Sequence, residues 1–245
     1  MDHEAAIVAE HLHKRYRSKV AVDDVSLSVA PGEVVGILGA NWAGKTTTVE
    51  LIAGLRRPDA GRVRVLGLDP HRERAALRQV LAVQLQQAAL HGALTVAELI
   101  GLYRSFYPNP RSEGELLELV DLAGQRRTRF EKLSGGQQQR LSIALALAGR
   151  PRVVILDELT TGLDPHARRR MQRAIEQLER ETVLLVSHAM DEVERLCDRV
   201  LLLDAGRIVA DDTPAVLVAS VGAADLDEAF VTITGTEPGR LEETA

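Results

Sequence analysis

Apolar residues recur along this chain in short continuous blocks, separated by longer stretches in which they return at helical spacing. Val34-Val35-Gly36-Ile37-Leu38, Val80 to Val83, Val153 to Leu156, Thr182 to Val186 and Val200 to Leu203 are the blocks. Uninterrupted apolar runs of this length read as strands buried on both faces, the kind found in parallel sheets. Between them, helical patterns are predicted through Leu55, from Asp69-Pro70 to about Gln79, from Gly135 to Leu147, from Pro165 to Arg180 and from Met190 to Cys197. Strands alternating with helices predict an α/β domain with a mainly parallel sheet core and ligands at the carboxyl ends of its strands.

Two regions depart from that alternation. Ile7-Val8-Ala9 and Val20 to Val29 are β-compatible runs with polar residues interleaved, as in an antiparallel β subdomain with one wet face. From Gln84 to about Lys132 the pattern turns helical. Thr95-Val96-Ala97-Glu98 fits a capping box, and Leu116, Leu117, Leu119, Val120 and Leu122 follow the Pro108-Asn109-Pro110 break. An inserted α-helical subdomain over about 84–133 is expected, between core segments 5–83 and 151–215. Asp204-Ala205-Gly206 marks a hairpin, and the short tail, 216–245, is expected to hold one weak helix and a strand over Phe230 to Ile233.

Composition narrows the class. The 245 residues are 45% hydrophobic and 27% charged, which suits a globular domain with an ample core. A net charge of −5 argues against capture by nucleic acid. Cys197 is the single cysteine, so no intrachain disulfide forms, in keeping with a reducing compartment. No apolar run reaches the ~18 residues of a membrane span, so work at a membrane requires separate embedded subunits.

The chemistry starts where the first strand block ends. Gly39-Ala40-Asn41-Trp42-Ala43-Gly44-Lys45-Thr46-Thr47 is G-x-x-x-x-G-K-T between a strand and a helix. A Gly-rich loop opening a helix aims several N–H groups at one point, and the helix dipole adds positive potential there. Lys45 supplies a point charge for β- and γ-phosphates, and the Thr46 hydroxyl is placed for Mg²⁺. Trp42 is bulky where glycine would be comfortable. A φ > 0 there strains the loop; the favoured expectation is an ordinary backbone with the indole packed in a dimer interface.

Four further groups suit the same chemistry. Asp157, at the end of Val153–Leu156, has the position of an Mg²⁺ carboxylate, leaving Glu158 as general base for the attacking water. His188 follows another strand and either hydrogen-bonds a γ-phosphate or plays a structural part. Ser134-Gly135-Gly136-Gln137 opens a helix and forms either a second anion site or a ligand-free cap. Tyr16, among Lys14, Arg15 and Arg17, either stacks on a base or covers a sheet edge. His11 and His13 are expected on one strand face, without a carboxylate or cysteine set to complete a metal site.

With these motifs in order, the chain resembles the nucleotide-binding ATPase subunits of ABC transporters over roughly residues 5–215. The carriers are GANWAGKTT (39–47), LQQAALHGALTV (85–96), LSGGQQQR (133–140), VVILDE (153–158), TTGLDP (160–165) and SHAMDEVE (187–194). The resemblance implies a P-loop NTPase fold, ATP and Mg²⁺ as cofactors, and ATP hydrolysis. By position Tyr16 resembles the adenine-stacking aromatic, and Gln86 the glutamine that contacts Mg²⁺ and water and senses membrane subunits. Asp164 resembles an aspartate that crosses a dimer interface, and His188 the switch histidine. Ser134, Gly135, Gly136 and Gln137 would bind ATP held by another protomer, in a head-to-tail dimer on the cytoplasmic face of the membrane, attached through integral permease subunits. SHAMDEVERLCDRVLLLDAGRIVADDTP and LDEAFVTITG look most like the drug-resistance and ABC-2 exporter group. Leu159, where the group commonly has proline, leaves one alternative: a soluble or weakly hydrolysing ABC ATPase that uses ATP binding for regulation.

Overall fold

The computed structural model describes residues 5–84, 90–157, 165–178 and 181–235. In chain order, β1 (Ile7–Tyr16), β2 (Lys19–Val29) and β3 (Val34–Gly39) precede α1 (Lys45–Ile52), β4 (Ala60–Val65), α2 (Arg74–Val80) and β5 (Leu81–Gln84). Then come α3 (Val96–Arg104), α4 (Glu113–Leu119), α5 (Gly135–Ala146), β6 (Val153–Asp157), α6 (Pro165–Glu176) and β7 (Thr182–Val186). The last elements are α7 (Met190–Leu196), β8 (Arg199–Asp204), β9 (Arg207–Asp212), α8 (Pro214–Val221) and α9 (Leu226–Thr234).

The apolar blocks assemble into one sheet with order β5-β6-β7-β3-β8-β9, parallel except for the closing β8–β9 hairpin. Their side chains divide by the period of two. Val153, Ile155, Leu184, Val186, Leu201 and Leu203 join the core that holds α1 and the N-terminal strands. Val154, Leu156, Val183, Leu185, Val200 and Leu202 join the core of α5, α6, α7 and α9. A strand whose two faces both meet a core needs apolar residues at every position, which is why the pattern ran unbroken.

A second, antiparallel sheet, β2-β1-β4, lies over α1. Along β1 the inward set is Ile7, Ala9 and then Leu12, because a bulge with His11 at φ 50° shifts the alternation by one. The same bulge separates His11 from His13: each ring meets a carboxylate, Asp24 and Asp23 respectively, instead of a shared site.

The lobe between β5 and β6 follows from two capping boxes, Thr95 with Glu98 and Ser112 with Glu115. Backbone and side-chain hydrogen bonds from Ser112, then Arg150, hold the Glu115 carboxyl down at about 2. Leu99, Ile100, Leu116 and Leu117 pack with Leu141 and Leu145, so α5 is docked on α3 and α4 as well as on the sheet. Arg140 secures that contact by donating to the carbonyls of Val120 and Asp121 at 2.6 and 2.8 Å.

Three local expectations are corrected. The helix expected from Asp69-Pro70 begins at Arg74, because the Asp69 carboxylate instead accepts from the His71 and Arg72 N–H groups in a turn. The charged helix from Pro165 ends at Glu176 rather than Arg180. Phe230 to Ile233 is helical, not a strand: Asp225 caps α9, Gly235 closes it at φ 68°, and Leu226, Ala229 and Phe230 bury one face. Four β-favouring residues lose to a helix whose apolar stripe meets the core.

Candidate functional site

The parallel strands deliver their carboxyl ends to one edge of the sheet, and the loop Gly39–Thr47 occupies the middle of that edge. Two glycines are sterically forced there. A Cβ on Gly39 would come 2.5 Å from the Leu203 carbonyl oxygen, and one on Gly44, whose φ is 101°, would come 2.2 Å from that of Ala21. The Gly206 N–H also donates to the Ala43 carbonyl at 3.0 Å. The loop is therefore clamped between β2 and the β8–β9 hairpin, and α1 begins directly after Gly44.

Lys45 is only 7% exposed, and its ammonium donates to the carbonyls of Gly39 and Ala40 at 2.7 and 3.0 Å. The side chain thus lies back along its own loop, at the mouth where anionic oxygens would sit. Thr46 is exposed and Thr47 half-buried beside it. A cavity of about 460 Å³ runs from this loop to Tyr16 and is lined also by Lys19, Ala21, Asn41 and Trp42.

Tyr16 ends β1 with its ring between two cations, Lys14 at 5.6 Å and Arg56 at 5.5 Å from the centroid. Both cations are tethered, Lys14 to Asp59 and Arg56 to Glu50. The Lys14 hydrogen bond and then the Arg15 N–H hold the Asp59 carboxyl below its usual range. A partly exposed ring fixed at the end of a cavity is suited to stacking.

Trp42 corrects the favoured expectation of an ordinary backbone. The Ala43 N–H donates to the Ala40 carbonyl at 3.1 Å, closing a turn in which Trp42 holds the third position at φ 72°, where glycine is normal. Its indole is 78% exposed, with the Lys19 ammonium 4.7 Å from the ring centroid.

Asp157 ends β6, only 3% exposed. In the sheet β7 lies between β6 and β3. Val186 pairs with both Ile37 and Asp157, so Asp157 stands level with Ile37, two residues before β3 ends. The pleat puts Asp157 on the face of Val153 and Ile155, the side on which α1 and hence Thr46 lie. A hydroxyl and a carboxylate on one side are hard oxygen donors, a set that fits Mg²⁺ with phosphate and water completing its shell.

His188 follows β7, exposed at the same edge. Its turn is held by a pair missed in the sequence: the Ser187 hydroxyl donates to the fully buried Glu192 carboxylate at 2.9 Å and accepts from the Ala189 N–H at 3.1 Å. The signal available was an acid five residues after a serine, at the start of α7. Cys197 in turn packs against Gly36, where burial pushes its thiol up, so it stays protonated. Glu158, Gln86 and Asp164 lie outside the described residues.

The second glycine motif is built differently. Ser134 caps α5 in a full capping box with Gln137, and Gln138 donates to the carbonyls of Phe130 and Leu133 at 3.1 and 3.2 Å. Gly135 has nothing within 4 Å of where a Cβ would stand. Its N-terminus faces outward.

Residues 22–161 match the family model for ABC transporters. The Nod factor export ATP-binding protein I of Paraburkholderia xenovorans (strain LB400) is 37% identical over 247 residues, covering 98% of this chain and 80% of that one. Its namesake from Rhizobium johnstonii (strain DSM 114642 / LMG 32736 / 3841) is 38% identical over 220 residues, covering 87% and 71%. Among solved structures, an ATP-binding subunit of an ABC transporter aligns at a TM-score of 0.84 and 28% identity, over 93% of this chain and 99% of that chain.

Proposed function

Because the chain belongs to the ABC transporter family, as an ATP-binding, ATP-hydrolysing subunit, we propose that it acts as a head-to-tail dimer driving export through separate membrane subunits. One observation carries the dimer. The loop Gly39–Thr47 is walled by its own chain, whereas Gly135 opens a helix onto empty space and is not needed by the fold. A glycine the fold does not use leaves room for something outside the chain, and the anion it suits is a γ-phosphate held by another copy.

In this reading Lys45 and the N–H groups of Gly44 to Thr47 hold the phosphates of ATP beside Asn41, Trp42 and Ala43, and Tyr16 stacks on adenine. Ser134, Gly135, Gly136 and Gln137 of the partner copy meet the γ-phosphate, with Asp164 crossing the interface. Thr46, Asp157 and Gln86 would hold Mg²⁺, which when bound neutralises charge developing on the phosphates. Glu158 takes a proton from the attacking water while His188 hydrogen-bonds a γ-phosphate oxygen. The bond between the γ-phosphorus and the oxygen shared with the β-phosphate breaks, leaving ADP and phosphate. Phosphate loss removes the bridge between copies, and the dimer opens.

The export direction is supported by the relatives, which are named as export ATP-binding proteins. Among the described residues no helix is long and apolar enough to cross a membrane. A groove of about 530 Å³ lined by Arg78, Leu81, Val83, Tyr103, Phe106 and Tyr107, beside exposed Leu102, offers a place for membrane subunits to dock. That attachment puts the subunit on the cytoplasmic face of the membrane. Glu158→Gln tests the scheme: hydrolysis falls by roughly 10²- to 10⁴-fold and an ATP-bound dimer accumulates on size exclusion. A variant that stays monomeric in saturating ATP-Mg²⁺ sinks it.

A further inference from the structure

A tryptophan in the left-handed region is uncommon, and such residues persist where the surroundings hold them. Trp42 meets that condition. Its neighbour Gly44 is locked against the Ala21 carbonyl, and the Ala40–Ala43 turn closes around it. The conformation is imposed by the loop, and glycine would adopt it without strain. Yet the indole is not buried, so packing of the fold does not account for it. It lines the 460 Å³ cavity together with Tyr16, Lys19 and Lys45. The Lys19 ammonium rests on its face at 4.7 Å.

We infer that Trp42 and Lys19 form an additional nucleotide-contacting pair: the indole makes one apolar wall of the cavity and orients the Lys19 ammonium toward the triphosphate. The inference rests on the cavity holding ATP. Cation–π contact keeps a long, flexible lysine at a defined place, so less side-chain freedom is lost when the nucleotide arrives. A second ammonium adds charge for the phosphates beyond that of Lys45.

Trp42 is the only tryptophan, so its emission reports this wall alone. The chain is titrated with ATP in the presence and absence of Mg²⁺, at a concentration where sedimentation shows monomer, while calorimetry measures binding independently. A saturable change in emission that tracks calorimetric binding is expected. Lys19→Ala should weaken ATP on the order of tenfold and AMP much less, because the lost contact is to the phosphates. Trp42→Gly should raise thermal stability yet weaken ATP several-fold, with Trp42→Phe retaining most of the affinity. The inference is overturned if ATP binds by calorimetry while emission stays constant, if emission changes only on dimerisation, or if Trp42→Gly binds ATP as well or better. Absence of any calorimetric binding would overturn the ATP site itself along with it.

Discussion

The loop Gly39–Thr47 and the helix start Ser134–Gln137 are both glycine-rich helix openings, yet the chain treats them oppositely. At the first, glycine is compulsory: the backbones of Ala21 and Leu203 occupy the space of a side chain, and Gly44 sits at φ 101°. At the second, the capping box joins Ser134 and Gln137, and a side chain at Gly135 would meet nothing within 4 Å. One site is enclosed by its own fold, with a cavity, a buried lysine and an aromatic ring in its lining. The other is a capped helix start exposed to solvent. The lesson is that a glycine's surroundings separate a motif that shapes its own chain from one that makes room for a neighbour.

The largest effect on ATP affinity that bears on this contrast belongs to Lys45. Lys45→Ala should weaken ATP roughly 10- to 100-fold, as loss of charge-assisted bonds to phosphate predicts, with calorimetry as the check. Retained affinity would mean that the loop's N–H groups suffice alone. The glycines come next. Gly44→Ala should destabilise the chain on the order of 3 kcal/mol by thermal unfolding, since the new methyl meets the Ala21 backbone in a left-handed conformation. Gly135→Ala should leave stability within about 0.5 kcal/mol while lowering ATP turnover and dimer formation. If Gly135→Ala hydrolyses ATP normally, the outward-facing helix end is no binding surface. Ser134→Ala should cost about 1 kcal/mol of stability through loss of the cap, seen as a lower urea midpoint at unchanged slope.

Much of this was legible in the residues because it is set by local rules. Strand blocks showed themselves through unbroken apolar runs, a capping box through Thr95–Glu98, an N-cap through Ser134, the hairpin through Ala205-Gly206, and the phosphate loop through its spacing. The misses share a cause. At Phe230 to Ile233, β-favouring residues became helix because Leu226, Ala229 and Phe230 found a core to bury against. Asp69 spent its carboxylate on a turn, so α2 began later than the Pro70 signal predicts.

By itself, then, the sequence determined most of the strand and helix segments and marked the residues whose types and spacing suit phosphate chemistry, since those follow from side-chain period, turn chemistry and motif spacing. Only the tertiary structure decided who stands beside whom. It inserted β7 between β3 and β6, brought Ala21 against Gly44, joined Ser187 to Glu192 behind His188, and laid Lys19 over Trp42. Contacts between segments far apart in the chain depend on how whole layers pack, which no local pattern encodes. The φ of Trp42 is the sharpest case: the clamp from β2 and the β8–β9 hairpin sets the loop, and the residue conforms to it.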